Sequence, residues 1–203
     1  DDLASVVTWY DYAVQLTNRT DPGLVRKATD LRMRMLDTRI RELATELEGA
    51  TVSQEEREAR LAEIAELRHQ RAEQLIEDAR RRVERNPTDL QTRFELGEVL
   101  MEAGHFTEAM PELQKAVQNP NTRIRAMSLL GRCMVEKGML DLAEVQFKKA
   151  VSEISGMDET KKDLLYHLGL VYDRMGRTDD YIECMKRIFE VDFGYRDVSQ
   201  RVE

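Results

Sequence analysis

The stretch "FELGEVLMEAGHFTEAMPELQKA", residues 94–116, sets Leu96-Gly97, Gly104, Ala109 and Ala116 at intervals too regular for an arbitrary helix. The pattern returns. Leu96-Gly97 recurs as Leu130-Gly131, 34 residues on, and as Leu168-Gly169, another 38 on. Gly104 comes back as Gly138 and Gly176, Ala109 as Ala143, Leu113 as Phe147 and Ala116 as Ala150. Tyr181, Met185 and Ile188 hold the corresponding places in the third copy. The four extra residues fall in "SGMDETKK", between copies, where an insertion only lengthens a loop.

The spacing has a physical reading. Each copy is a pair of helices. Glycine in the Leu-Gly pair removes the side chain that would hold a second helix off. Gly104, Gly138 and Gly176 then end the first helix in the left-handed conformation that glycine adopts freely. Alanine at the next marked position lets the second helix press against the first. One such hairpin leaves an apolar face uncovered, so neighbouring copies must stack.

Residues 87–190 thereby resemble the tetratricopeptide repeat (TPR) family. The resemblance is carried by Leu96-Gly97…Leu100…Gly104…Ala109…Leu113…Ala116, by its second copy through Met134, and by Leu168-Gly169…Tyr172…Gly176, with Pro87 and Pro120 at the junctions. The third copy departs from the family by placing Tyr181 where a small residue is usual, which suits a terminal repeat. The tail "DFGYRDVSQRVE" is expected to close the array as a polar helix. Arg93 and Met127 stand where the family often has a large apolar residue.

Outward from the repeats, apolar residues recur every three to four positions almost throughout, which predicts an all-α fold. A first helix is expected over residues 3–17. Asp21 or Thr20 is placed to cap the next, with Pro22 in its first turn. From Leu24 to Leu47 the apolar positions follow a coiled-coil-like spacing, and a second long helix runs from a Ser53/Glu56 capping box to about Arg85. The simplest arrangement is an antiparallel hairpin; pairing with another copy of the chain is the alternative. Asp37/Arg41, Glu56/Arg60 and Glu77/Arg81 sit at the spacing of ion pairs along one helix. Two domains follow: residues 1–85, a helix plus the long hairpin, and 86–203, the repeats with a capping helix.

Composition narrows the function. The chain has 203 residues, 34% of them charged and 6% aromatic, with a formal net charge of -8. Such acidity argues against a nucleic-acid partner for the whole surface. Arg80, Arg81, Arg82 and Arg85 form a local basic cluster, read as a solvated face or as a contact for an acidic partner. No apolar run is long enough to span a bilayer. Cys133 and Cys184, far apart in apolar helical patterns, predict buried free thiols and a reducing, cytoplasmic setting. The chain begins at Asp1 rather than Met, which predicts a piece of a longer protein.

Chemistry is poorly signalled. His69, His105 and His167 lack a second ligand at helical spacing, carboxylates are spread among basic neighbours, and no glycine loop follows a strand. The sequence therefore predicts no catalytic residue, cofactor or metal: the protein is not an enzyme. The TPR resemblance implies a different use, a concave groove formed by the first helix of each unit. Its partner-binding residues would be Phe94, Glu98 and Met101 (with Glu102), then Arg125, Ser128 and Arg132 (with Val135), then Tyr166, Leu170 and Arg174 (with Asp173). Phe94, Met101, Tyr166 and Leu170 would anchor apolar side chains, and Arg125 and Arg132 would select an acidic protein or peptide. The alternatives are a homo-oligomerising module built on the N-terminal helices and a regulatory segment of a larger enzyme.

Overall fold

A computed structural model describes residues 3–18, 20–49 and 53–202. Among them lie ten helices and no strand: α1 (Leu3–Leu16), α2 (Pro22–Gly49), α3 (Gln54–Arg85), α4 (Leu90–Glu102), α5 (Phe106–Ala116), α6 (Arg123–Glu136), α7 (Leu140–Ser152), α8 (Glu159–Arg174), α9 (Thr178–Phe189) and α10 (Val198–Val202). The chain divides into two compact units, residues 1–78 and 79–203, so the last turns of α3 belong to the second.

In the first unit, local chemistry sets the helix starts. The Asp21 carboxylate accepts from the backbone of Gly23 at 2.8 Å and Leu24 at 3.1 Å, and Pro22 opens α2 without wasting a donor. Ser53 and Glu56 exchange bonds at 3.1 and 3.3 Å, a capping box at the start of α3. Helices α1 and α2 pack together, with Arg32 forked onto Asp11. Along α2 and α3, ion pairs join Asp37 to Arg71 (2.7 Å), Arg39 to Glu63 (2.9 Å) and Glu46 to Arg60 (3.5 Å), so the two helices run in opposite directions. Asp37 and Arg60 thus pair across helices and not with Arg41 and Glu56, as their spacing suggested; a neighbour on the facing helix is the closer partner. Every exposed residue of α1 is uncharged, and Trp9, Tyr12 and Leu16 are among them.

In the second unit, three helical hairpins stack, each second helix also touching the first helix of the next hairpin. The Leu-Gly pairs do what their spacing implies. A Cβ on Gly97 would lie 2.7 Å from Leu113, and one on Gly131 2.7 Å from Phe147; on Gly169 it would overlap Met185. Gly104, Gly138 and Gly176 have φ of 82°, 72° and 73°. The reversal at Gly104 is sealed by His105 N–H donating to the Leu100 carbonyl at 2.8 Å. Arg93, in place of a large apolar residue, bridges α4 to α5 through Glu112 (2.6 Å) and donates to the Pro87 carbonyl. Met127 is fully buried. The basic cluster is partly spent inside this unit: Arg80 pairs with Glu108 and Arg82 with Glu95, each at 2.5 Å. The tail is less regular than expected, mostly turns with the five-residue α10 at its end.

Candidate functional site

Helices α4, α6 and α8, the first of each hairpin, lie side by side. Their shared face, with Phe106 from the start of α5, lines a groove of about 430 Å³: Met101, Glu102, Arg132, Val135, Glu136, His167, Leu170 and Arg174. Met101, Phe106, Val135 and Leu170 make its apolar surface, on which two arginines and two glutamates are set. Arg132 is exposed and makes no ion pair or hydrogen bond among the described residues; Arg174 has only a long contact, 3.5 Å, to the Val135 carbonyl. Both guanidinium groups therefore keep their donors for something else.

Six of the residues expected from the sequence, Met101, Glu102, Arg132, Val135, Leu170 and Arg174, line this groove. The others do not line it. Phe94 is only 1% exposed, and the Arg125 guanidinium lies 4.8 Å above its ring. Arg125 is itself paired with Glu98 at 3.0 Å, so these three satisfy one another. Ser128 is half-buried on α6 outside the lining. Tyr166 is 9% exposed; its hydroxyl donates to Asp197 at 2.8 Å and Arg196 lies over its ring. Phe94 and Tyr166 are thus covered rings and not open anchors: Arg125 of α6 lies over the first, and Arg196, from the segment after α9, lies over the second. The groove is open over the later turns of its helices and closed over the earlier ones.

Phe106, Glu136 and His167 were missed as lining residues. Phe106 begins a second helix, where the repeat pattern places no partner contact. His167 has no helical-spacing signal that marks it as a groove residue. It stacks on Phe147 at 6.0 Å, meets Tyr166 edge-on and lies 3.6 Å from Asp163. Burial lowers its pKa, against the pull of Asp163 and with the help of Arg132 and Arg196, so the imidazole is held neutral. Two carboxylates nearby are also shifted down: the Tyr166 hydroxyl and then Arg201 lower Asp197, and Lys162 lowers Asp192. Cys133 and Cys184 are buried free thiols, each pushed up to about 11 by burial, which removes the thiolate needed for nucleophilic chemistry. No cluster of metal-ligating side chains and no helix long and apolar enough to cross a membrane occurs among the described residues.

Tetratricopeptide-repeat family models match residues 58–125 and 163–195. The chain is a tetratricopeptide-repeat protein. Between the two matched stretches of this TPR protein, α6 and α7 repeat the same glycine-to-core contact that joins α4 to α5 and α8 to α9. Repeats of this family are typically non-catalytic, and the TPR protein is a scaffold for protein interaction. Its fold is similar to a crystal structure of MamA (TM-score 0.58, 24% identity, 65% of this chain and 75% of that one). It is also similar to MamA MSR-1 (TM-score 0.53, 17% identity, 66% and 75%). YrrB, described as a TPR protein with an unusual peptide-binding site, aligns over 94% of this chain and 96% of its own (TM-score 0.51, 18% identity). No curated protein matches the sequence.

Proposed function

We propose that the TPR array binds a peptide or helix of a partner protein in the groove between α4, α6 and α8, and that the ligand is acidic and carries a bulky apolar side chain. The observation that carries this reading is Arg132, exposed over an apolar groove without an ion-pair or hydrogen-bond partner among the described residues, with Arg174 on the next helix. An apolar anchor supplies affinity through buried area, and the two guanidinium groups supply orientation through charge-assisted bonds. Glu102 and Glu136 stand in the same lining, so a ligand with a basic residue beside its acidic one is preferred over a purely acidic one. The YrrB description, a peptide site on a related fold, supports the choice of ligand class.

A library of displayed peptides panned against the chain tests this. Selected peptides should combine Asp or Glu with a large apolar residue and should lose about tenfold or more in affinity to Arg132→Glu/Arg174→Glu, the scale of one charge-assisted contact. Arg125→Glu, whose wild-type side chain already serves Glu98 and Phe94, should weaken them much less. Peptides that bind the double variant as tightly as the wild type overturn the groove assignment.

Self-assembly is favoured as a second reading by one observation: the exposed face of α1 carries no charge in a chain that is 34% charged, and its only charged residue, Asp11, is turned onto Arg32.

A further inference from the structure

The segment after α9 reads Glu190-Val191-Asp192-Phe193-Gly194-Tyr195-Arg196-Asp197-Val198, in which Asp192 and Asp197 flank two aromatic residues and an arginine. Its backbone is tied back to α9 by Val191 and Asp192 N–H groups donating to the Ile188 carbonyl, at 3.1 and 2.8 Å, and it is anchored again by Val198, which is fully buried. Between those anchors its backbone bonds are local: Tyr195 N–H to the Asp192 carbonyl and Val198 N–H to the Tyr195 carbonyl, each at 3.2 Å. No backbone hydrogen bond joins it to α8 among the described residues.

Side chains alone hold it there. Lys162 of α8, 6% exposed, pairs with Asp192 at 2.7 Å, and Asp163 pairs with Arg196 at 2.5 Å. The Tyr166 hydroxyl donates to Asp197, Tyr195 meets the Tyr166 ring edge-on at 6.4 Å, and Arg196 stacks 4.6 Å above it. Arg196 has φ of 49°, a left-handed conformation uncommon for a residue with a side chain, and these contacts keep it there. On α8, Tyr166 lies one turn before Leu170, on the same face as the groove residues Leu170 and Arg174. The segment therefore occupies a receptor surface of ammonium, carboxylate and phenol much as a separate peptide would.

We propose that Lys162, Asp163 and Tyr166 form a second peptide-binding site, for acidic peptides with an aromatic residue between two carboxylates, and that residues 192–197 are its built-in competitor. The chemistry of the resident segment defines the ligand: one carboxylate for Lys162, a ring for Tyr166, a second carboxylate for the Tyr166 hydroxyl, and a basic group for Asp163. Because the resident is tethered, a free peptide sees the site only in the fraction of molecules whose segment has lifted, and its apparent affinity falls by that fraction. This site does not depend on occupation of the open groove.

The test uses the whole chain and a fluorescein-labelled synthetic peptide of residues 190–201, read by anisotropy, with a scrambled peptide as control. Asp192→Asn/Asp197→Asn loosens the resident and leaves α8 intact. It should bind the labelled peptide about tenfold more tightly than wild type, Lys162→Gln on top of it should remove most of that gain, and Arg132→Glu should change nothing. Equal affinity of wild type and the double variant, or binding that ignores Lys162→Gln or the order of the peptide sequence, overturns the proposal. Hydrogen exchange of the wild type gives an independent readout: amides of residues 195–198 should exchange faster than those of α8 through local opening. Exchange of both sets together, only on global unfolding, overturns it as well.

Discussion

Gly131→Ala isolates the close approach on which the repeat depends. The added Cβ would lie 2.7, 2.9 and 3.0 Å from Cζ, Cε1 and Cε2 of Phe147, where carbon atoms in contact prefer about 3.5–4.0 Å. The ring cannot swing away: Phe147 is fully buried and its other neighbour is the stacked imidazole of His167. Either the ring or the helix pair must give by about 0.5–1 Å, the kind of overpacking that costs about 1–3 kcal/mol. Against this stands the gain of replacing glycine inside a helix, about 1 kcal/mol. The expected net effect is a loss of up to about 2 kcal/mol, or up to about 8 °C in Tm for a chain of this size. Phe147→Val removes all three clashing atoms, so in that background Gly131→Ala should stabilise by about 1 kcal/mol. Urea denaturation of the four proteins, followed by far-UV circular dichroism with the slopes compared, measures the coupling. If Gly131→Ala alone stabilises the chain by the full helix-propensity gain, or if the two changes simply add, Gly131 is not a spacing residue and the reasoning fails.

Two further outcomes are expected. His167 has its pKa lowered by burial, so its contribution to stability is complete above about 6.5, the unfolded value, and is lost as pH falls below that toward the folded value. The urea midpoint should decline between about pH 6.5 and 5, and His167→Gln should flatten that part of the profile, since ordinary carboxylates titrate nearer 4. The uncharged face of α1 predicts an oligomer by light scattering that Trp9→Glu, at a side chain 71% exposed, converts to monomer without a change in helicity. A wild-type monomer across a wide concentration range would refute that assignment.

Much of the architecture was legible in residues 94–116 and their two echoes, because the residues that repeat are those a helix pair cannot do without. A glycine where helices touch and a glycine where the chain reverses have no substitutes of equal size and backbone freedom, so they leave a signal at fixed spacing. The helix starts at Asp21 and Ser53 were equally plain, since capping acts within three or four residues. The candidate site was legible only in part. The TPR resemblance, carried over by position, placed Met101, Arg132, Leu170 and Arg174 on the shared face.

Register does not say whether a side chain on that face is free. Phe94, Arg125 and Glu98 close on one another from two adjacent helices, and Tyr166 is covered by residues about 30 positions further along the chain. The same holds for Asp37 and Arg60, whose partners stand on a facing helix and not one turn away. By itself, then, the sequence determined the helices, their ends and the hairpin repeat, all consequences of short-range sterics and hydrogen bonding. Only the tertiary structure decided which charges and rings remain available, because that depends on which of several compatible partners lies within a few ångströms once the helices have stacked.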